Sequence, residues 1–193
     1  MQFWQCNLQK NLQQLKNEIG RNPKIAILGI GSELNGDDAA GVFIVRRLIE
    51  RYKYRPQPDD LIIFDCGSVP ENFSGPLRRF NPDFILIIDA GSFGEAPGEM
   101  ILSDYENTDG MSFSTHSLPP SVFAEFLINE LGCMINLLLI QVENVEYCHP
   151  LNEQVSSTIR TVINELDEIL INSLKNQQKL KNPLSELNLN IDD

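Results

Sequence analysis

Residues 24–41 read KIAILGIGSELNGDDAAG, and this stretch decides the fold. Its apolar first part, 24–28, predicts a buried strand, and a glycine-rich turn then leads into a predicted helix over 39–52. The turn brings two adjacent acids, Asp37 and Asp38, to the start of that helix, where partial positive charge favours carboxylates. Open α/β sheets bind their ligands where such strands end. The stretch therefore predicts either acids that cap a helix or a site at the edge of a sheet.

The rest of the chain alternates between strand-like and helix-like patterns. Further strands are predicted at 61–64, 84–88 and 135–142, with a shorter one around Met100 and Leu102. Helices are predicted from Pro119 and Pro120 to Leu131, and along an apolar stripe from Val155 to Leu170. Because FILII at 84–88 is apolar on both faces, it is typical of a central strand covered on both sides. This order predicts an α/β fold, a three-layer αβα sandwich around a five-stranded, mostly parallel sheet.

An extra amphipathic helix is predicted in front of this domain. Its apolar residues fall on one helical face: Trp4, Leu8, Leu12, Leu15 and Ile19. We therefore divide the chain into an N-terminal helical extension at 1–22, a single αβα domain at 23–175 and a tail at 176–193. The apolar pattern fades in the tail, which we expect to be mobile.

Composition and charge narrow the classes of function. The 193 residues suit one compact domain, and 27 acidic against 15 basic residues give a net charge of −12. Such a balance disfavours nucleic acid and anionic membranes, and favours cationic partners such as a metal or a basic peptide. No apolar run approaches the roughly 20 residues that span a bilayer. The four cysteines form no CxxC pair, so we expect reduced thiols and a cytoplasmic protein.

Polar residues with chemical potential occur at three places in this order of elements. Asp37 and Asp38 follow the first strand, Asp89 directly follows the third predicted strand, and His116 lies in the loop SFSTHSLPP. Each has a structural explanation: a helix cap, a ligand for loop amides, or an ordinary surface histidine. If the strands are parallel, however, the acids share one edge, and the histidine loop can fold over them. Carboxylates with an imidazole suit nickel, zinc or iron.

Other candidate residues have weaker support. His149 stands beside Cys148 after the fifth predicted strand, but neighbours on an extended chain point to opposite faces. The glycines after the first strand resemble a dinucleotide fingerprint, yet Leu34 occupies the place of the third glycine. No GxSxG sequence indicates a serine hydrolase. Cys66 is a possible nucleophile, although nothing near it in sequence activates it.

Five ordered blocks resemble the NiFe-hydrogenase maturation endopeptidases. GIGSELNGDDAAG resembles the opening motif G-x-G-N-x-x-x-x-D-D/E-x-x-G of that family, and DCGSVPEN, LIIDAG, PGE and STHSLP resemble its later blocks in the same order. The match extends over about 24–170 and is nearest to the branch that processes the large subunit of formate-hydrogenlyase-type hydrogenases. Ser32 replaces the usual asparagine, and Ala40 replaces a glycine or isoleucine.

The resemblance implies an activity and a set of site residues. Members of the family are endopeptidases that remove a C-terminal extension from the hydrogenase large-subunit precursor after nickel insertion. Their metal-contacting residues correspond to Asp38, Asp89 and His116, which we take as both the catalytic and the metal-binding set. The nickel is then presented by the substrate rather than permanently bound. The resemblance also implies a monomer.

Two other functions use the same residues. One is a non-catalytic, nickel-sensing maturation chaperone. The other is an aspartic-type hydrolase with no metal requirement, in which Asp38 and Asp89 share a proton and activate water. An unrelated hydrolase on a similar sandwich is a further alternative.

Overall fold

The computed structural model describes residues 3–54, 57–105, 112–113 and 119–174. The helices are α1 (Phe3–Ile19), α2 (Ala40–Lys53), α3 (Ser74–Phe80), α4 (Pro120–Leu131) and α5 (Glu153–Leu174). The strands are β1 (Ile25–Ile30), β2 (Leu61–Gly67), β3 (Phe84–Ser92), β4 (Met100–Asp104), β5 (Ser112–Phe113) and β6 (Met134–Gln141). Short 3₁₀ turns at Gly36–Ala39 and Pro70–Phe73 lead into α2 and α3.

The strands form one mostly parallel sheet in the order β2-β1-β3-β6-β4. The first four of these run parallel, and β4 is antiparallel to β6 at the edge. The predicted five-stranded sheet is confirmed, and the two-residue β5 adds an antiparallel partner at the far end of β3. A segment of two residues is too short to give a periodic pattern, so the sequence could not indicate it.

Helices cover the sheet on both sides, which confirms the predicted αβα sandwich. Apolar side chains of α1, α2 and α5 pack on one face of the sheet, and those of α3 and α4 pack on the other. Every residue of β1 is buried, as is β3 up to Gly91. Helix α3 was not predicted, because its seven residues, SGPLRRF, include a glycine and a proline.

The predicted N-terminal helix is present and belongs to the core. Trp4, Leu8, Leu12 and Leu15 are buried in the same apolar cluster as α5 and the sheet. A polar connection adds to this packing, because the Asn11 amide donates to Asn136 Oδ1 at 2.9 Å. The amide of Asn136 in turn donates to Asp104 Oδ1 at 2.7 Å, which links α1 to β6 and β4.

Two further predictions concern the C-terminal tail and membrane-spanning helices. The tail at 176–193, for which we predicted mobility, lies outside the described residues. Within the described ranges, no helix has the length and apolar character needed to cross a bilayer.

Candidate active site

Two glycines allow the turn after β1 to fold tightly against the sheet. Gly31 has φ +137°, and a Cβ there would lie 1.8 Å from the Asp38 carbonyl oxygen. A Cβ on Gly41 would lie 2.3 Å from the carbonyl oxygen of Ile88 and 2.4 Å from that of Ile30. Glycine at both positions allows the first turn of α2 to lie directly against the carboxyl ends of β1 and β3. A larger residue would not fit at either position.

Asp38 and Asp89 are both fully buried at this edge of the sheet. Asp38 lies in the 3₁₀ turn before α2, and its Oδ2 accepts a hydrogen bond from the Ser32 amide at 2.9 Å. Asp89 follows Ile88, whose carbonyl oxygen faces Gly41 in the same helix start. Asp38, in the turn after β1, and Asp89, on the neighbouring parallel strand β3, thus both lie at the carboxyl edge of the sheet.

The position of Asp89 differs in one respect from the prediction. β3 continues to Ser92, so Asp89 lies inside the strand and not directly after it. Its Oδ1 accepts from the Ala90 amide at 2.8 Å. The strand continues because residues beyond Asp89 pair with β6 and, through Gly91 and Ser92, with β5.

Asp37 has a different set of partners from its neighbour. Its Oδ2 accepts from the amides of Glu143 and Asn144 at 2.9 and 3.1 Å, and its Oδ1 accepts from the Asn152 amide at 2.7 Å. The Asp37 amide itself donates to the Asn144 carbonyl at 2.9 Å. The capping explanation is therefore wrong for Asp37, because its carboxylate binds the loop between β6 and α5. Such charge-assisted bonds fix the glycine turn to that loop.

His116 lies outside the described residues, so its distance from the two acids is not part of the structure. Among the described residues, no three His, Cys, Asp or Glu side chains form a group that could hold a metal ion. Two carboxylates at one edge still need at least one more donor. Carboxylate and imidazole are ligand types that suit borderline divalent ions, so the predicted set of Asp38, Asp89 and His116 is chemically suitable for nickel.

The second histidine stands near the glycine turn but faces solvent. His149 is exposed, and its Nδ1 is 3.1 Å from the Pro150 carbonyl oxygen. Its neighbour Cys148 has φ +57° and donates its amide to the Leu34 carbonyl at 2.7 Å. The turn that contains both residues therefore contacts the loop after β1. Among the described residues, neither side chain belongs to a group that could hold a metal ion.

Cys66 lacks the properties of a nucleophile. Its side chain is buried in β2, with Sγ 3.9 Å from the Phe64 carbonyl oxygen. Burial raises the pKa of the Cys66 thiol well above its ordinary range, and the neighbouring charge of Asp65 raises it further. A thiol in that state carries almost no reactive thiolate at neutral pH.

Two residues near the site were not identified from the sequence. Gln141 ends β6, and its Oε1 accepts from the amides of Phe93 and Glu95 at 2.8 and 3.3 Å, which orders the loop after β3. Arg46 of α2 forms salt bridges with Glu33 and Asp65. The only signal for Gln141 was a polar residue at the end of the apolar run INLLLIQ.

Comparisons with known proteins agree on one family. The family model described as "Hydrogenase maturation protease" matches residues 42–171 of this chain. A Methanocaldococcus jannaschii protein named as a candidate hydrogenase maturation protease is 31% identical over 161 residues, which are 82% of this chain and 95% of that protein. The hydrogenase 3 maturation protease of Escherichia coli K12 is 28% identical over 73% of this chain and 87% of its own length.

A solved structure supports the same assignment. The crystal structure of the NiFe hydrogenase maturation protease HycI from Thermococcus kodakarensis superposes with a TM-score of 0.67 at 31% sequence identity. That match covers 79% of this chain and 96% of the other chain.

Proposed function

The chain belongs to the hydrogenase maturation protease family, and we propose that it removes the C-terminal extension of a NiFe-hydrogenase large-subunit precursor after nickel insertion. The observation that carries this proposal is that two buried carboxylates, Asp38 and Asp89, both lie at the carboxyl edge of the sheet, one after β1 and one in the neighbouring β3. That edge is where open α/β sheets hold their ligands.

The proposed role of the two carboxylates is to bind nickel that the substrate brings. No Lys or Arg occurs in the loops 31–36, 91–99 and 142–152 beside them. A cation presented at this edge therefore meets carboxylates without competition from basic side chains of these loops. The ion would hold the scissile peptide close to the site, so that cutting depends on prior metal insertion.

His116 completes the proposed set as the third ligand. The described chain ends at Phe113 before this residue, and Phe113 pairs with Gly91, two residues beyond Asp89. His116 comes three positions after Phe113 in the chain, and a step of three residues reaches at most about 10 Å. The imidazole is therefore within reach of the edge that holds Asp38 and Asp89. We propose that the enzyme acts as a monomer on its protein substrate.

The decisive experiment incubates the purified protein with nickel-loaded and nickel-free precursor, and follows the mass of the large subunit. A nickel-gated endopeptidase shortens only the loaded precursor. Stable co-purification without shortening would instead identify a maturation chaperone, and equal cutting of both precursors would identify a metal-independent aspartic enzyme.

The two histidines of the chain provide a matched pair for the same assay. We expect His116→Ala to abolish processing, since the imidazole is the proposed third ligand. His149→Ala should process the loaded precursor at the parent rate, because His149 is an exposed side chain of another loop. Equal rates for His116→Ala and the parent would remove His116 from the site.

A further inference from the structure

Several large apolar side chains are exposed among the described residues. Three of them lie on loops at the carboxyl edge of the sheet. Leu34 is 53% exposed after β1, Val69 is 43% exposed after β2, and Tyr147 is 73% exposed after β6. Exposed apolar side chains gathered around one site are typical of surfaces that bind another protein. We call the exposed side chains of loops 31–36, 68–73 and 142–147 the rim surface.

Backbone hydrogen bonds hold these loops in fixed positions relative to one another. The Cys148 amide donates to the Leu34 carbonyl at 2.7 Å, so the turn that carries Tyr147 rests on the loop after β1. The Gly31 amide donates to the Gly67 carbonyl at 3.0 Å and joins that loop to the end of β2. The rim surface is therefore ordered before any partner arrives, which lowers the entropic cost of binding.

The charge of the rim surface has a single sign. Its loops contain no Lys or Arg, whereas Glu71, Glu143 and Glu146 are exposed on them. Glu33 is the one rim glutamate bound by a described basic side chain, because Arg46 of α2 forms a salt bridge with it. A complementary partner therefore has positive charge around an apolar contact.

We propose that the rim surface docks a basic segment of the precursor, in which Lys or Arg side chains flank an apolar residue. This inference rests on the proposed function and adds to it the chemistry of the substrate segment. The apolar residue contacts Leu34 and Tyr147, while the basic side chains lie near Glu143 and Glu146. Docking on this surface precedes and does not require contact between nickel and Asp38 or Asp89.

Charge reversal at the rim provides the first test. Binding to nickel-free precursor is measured by biolayer interferometry, and processing is measured separately on loaded precursor. We expect Glu146→Lys to raise the Kd and to lower kcat/KM by about tenfold with kcat unchanged, since the residue contributes to encounter and docking only. The matched control is Glu168→Lys, which makes the same charge change at an exposed position of α5 and should behave like the parent.

The apolar part of the surface is tested with a pair of tyrosines. Tyr147→Ala should weaken binding by a similar factor, whereas Tyr54→Ala, at a position that is 91% exposed beyond α2, should leave it unchanged. Raising NaCl from about 50 to 300 mM should weaken precursor binding by the parent more than precursor binding by Glu146→Lys. Melting curves check that each variant is folded.

The outcomes separate this inference from the proposed function. If the parent binds the precursor through the rim but never cuts it, the docking surface stands and the endopeptidase does not. If the parent cuts, but Glu146→Lys and Tyr147→Ala match it in Kd and kcat/KM, the docking surface is wrong. Absence of any binding of nickel-free precursor by the parent would also overturn it.

Discussion

The two ends of β3 use the same residue type in opposite ways. At the amino end, Asp83 accepts from both terminal nitrogens of Arg21 at 2.7 and 2.8 Å and from the Lys24 amide at 2.7 Å. At the carboxyl end, Asp89 is fully buried, and the adjacent loop 91–99 contains no Lys or Arg. The aspartate at the amino end thus has an arginine partner, whereas the aspartate at the proposed ligand-binding end lies beside a loop whose charged residues are all acidic.

This difference follows from strand direction. The amino edge of a parallel sheet has no helix N-terminus above it, so an acid there is stabilised by a basic side chain. At the carboxyl edge, chain turns and helix starts supply amide donors, as they do for Asp37 and Asp38. Backbone amides can therefore stabilise a buried acid at that edge.

The largest effect should come from replacing the aspartate at the carboxyl end of β3 rather than the one at its amino end, measured in the processing assay. We expect Asp89→Asn to lower kcat/KM by at least about a hundredfold, because the amide is a poor metal ligand and cannot act as a base. Asp83→Asn loses half of a partly exposed salt bridge and should process within about twofold of the parent. Comparable losses of kcat/KM in both variants would show that the two ends of β3 do not differ in function.

The second largest effect concerns stability and compares Asp37 with Asp83. Asp37→Ala leaves three backbone amides without their acceptor at a fully buried position, and should lower the free energy of unfolding by about 3 kcal/mol or more. Asp83→Ala should lower it by about 1 kcal/mol, since its Arg21 partner is half exposed. Urea unfolding midpoints measure both losses of stability. Equal losses would contradict the assignment of Asp37 as the residue that fixes the glycine turn to the loop between β6 and α5.

A glycine pair tests the close approach that forms the site. Gly41→Ala would place a methyl group 2.3 Å from the Ile88 carbonyl oxygen, and should lower stability by about 2 kcal/mol as α2 shifts away from β3. Gly75→Ala, in α3, meets only the end of Arg79 at 3.7 Å and should leave stability unchanged or raise it slightly. Thermal melts suffice for this comparison, and a neutral Gly41→Ala would contradict the close packing.

The smallest effect distinguishes buried from exposed thiols. Burial raises the pKa of Cys133, at the amino edge, to about 11 from its ordinary 9.0. The folded chain then keeps the thiol proton that the unfolded chain loses above pH 9, so stability should fall as pH rises from 9 towards 11. Cys133→Ala should show a smaller fall between pH 8 and 10 in urea midpoints, and an identical fall would contradict the assignment.

Thiol labelling gives a parallel check on the same groups. At pH 7 we expect a maleimide to modify the exposed Cys6 and Cys148 and to spare the buried Cys66 and Cys133 until the chain unfolds. Mass spectrometry counts the labels, and rapid modification of Cys66 in the native chain would reopen its role as a nucleophile.

Much of the fold was predictable because it depends on local periodicity. The apolar runs gave the parallel strands, and their order placed Asp38 and Asp89 at one edge. What the sequence could not indicate depends on contacts between distant residues. Asp37 binds amides more than 100 residues away in the chain, and no periodic pattern encodes such a pairing. The strand beyond Asp89 likewise forms only because β5 and β6 supply partners.

The most direct test of the account is a crystal of the protein soaked in a nickel salt and measured at the nickel absorption edge. We predict one strong anomalous peak within about 2.5 Å of carboxylate oxygens from both Asp38 and Asp89 and of an imidazole nitrogen of His116. An ion bound only at other residues, or a His116 side chain held far from both acids, would contradict the proposed nickel-gated endopeptidase.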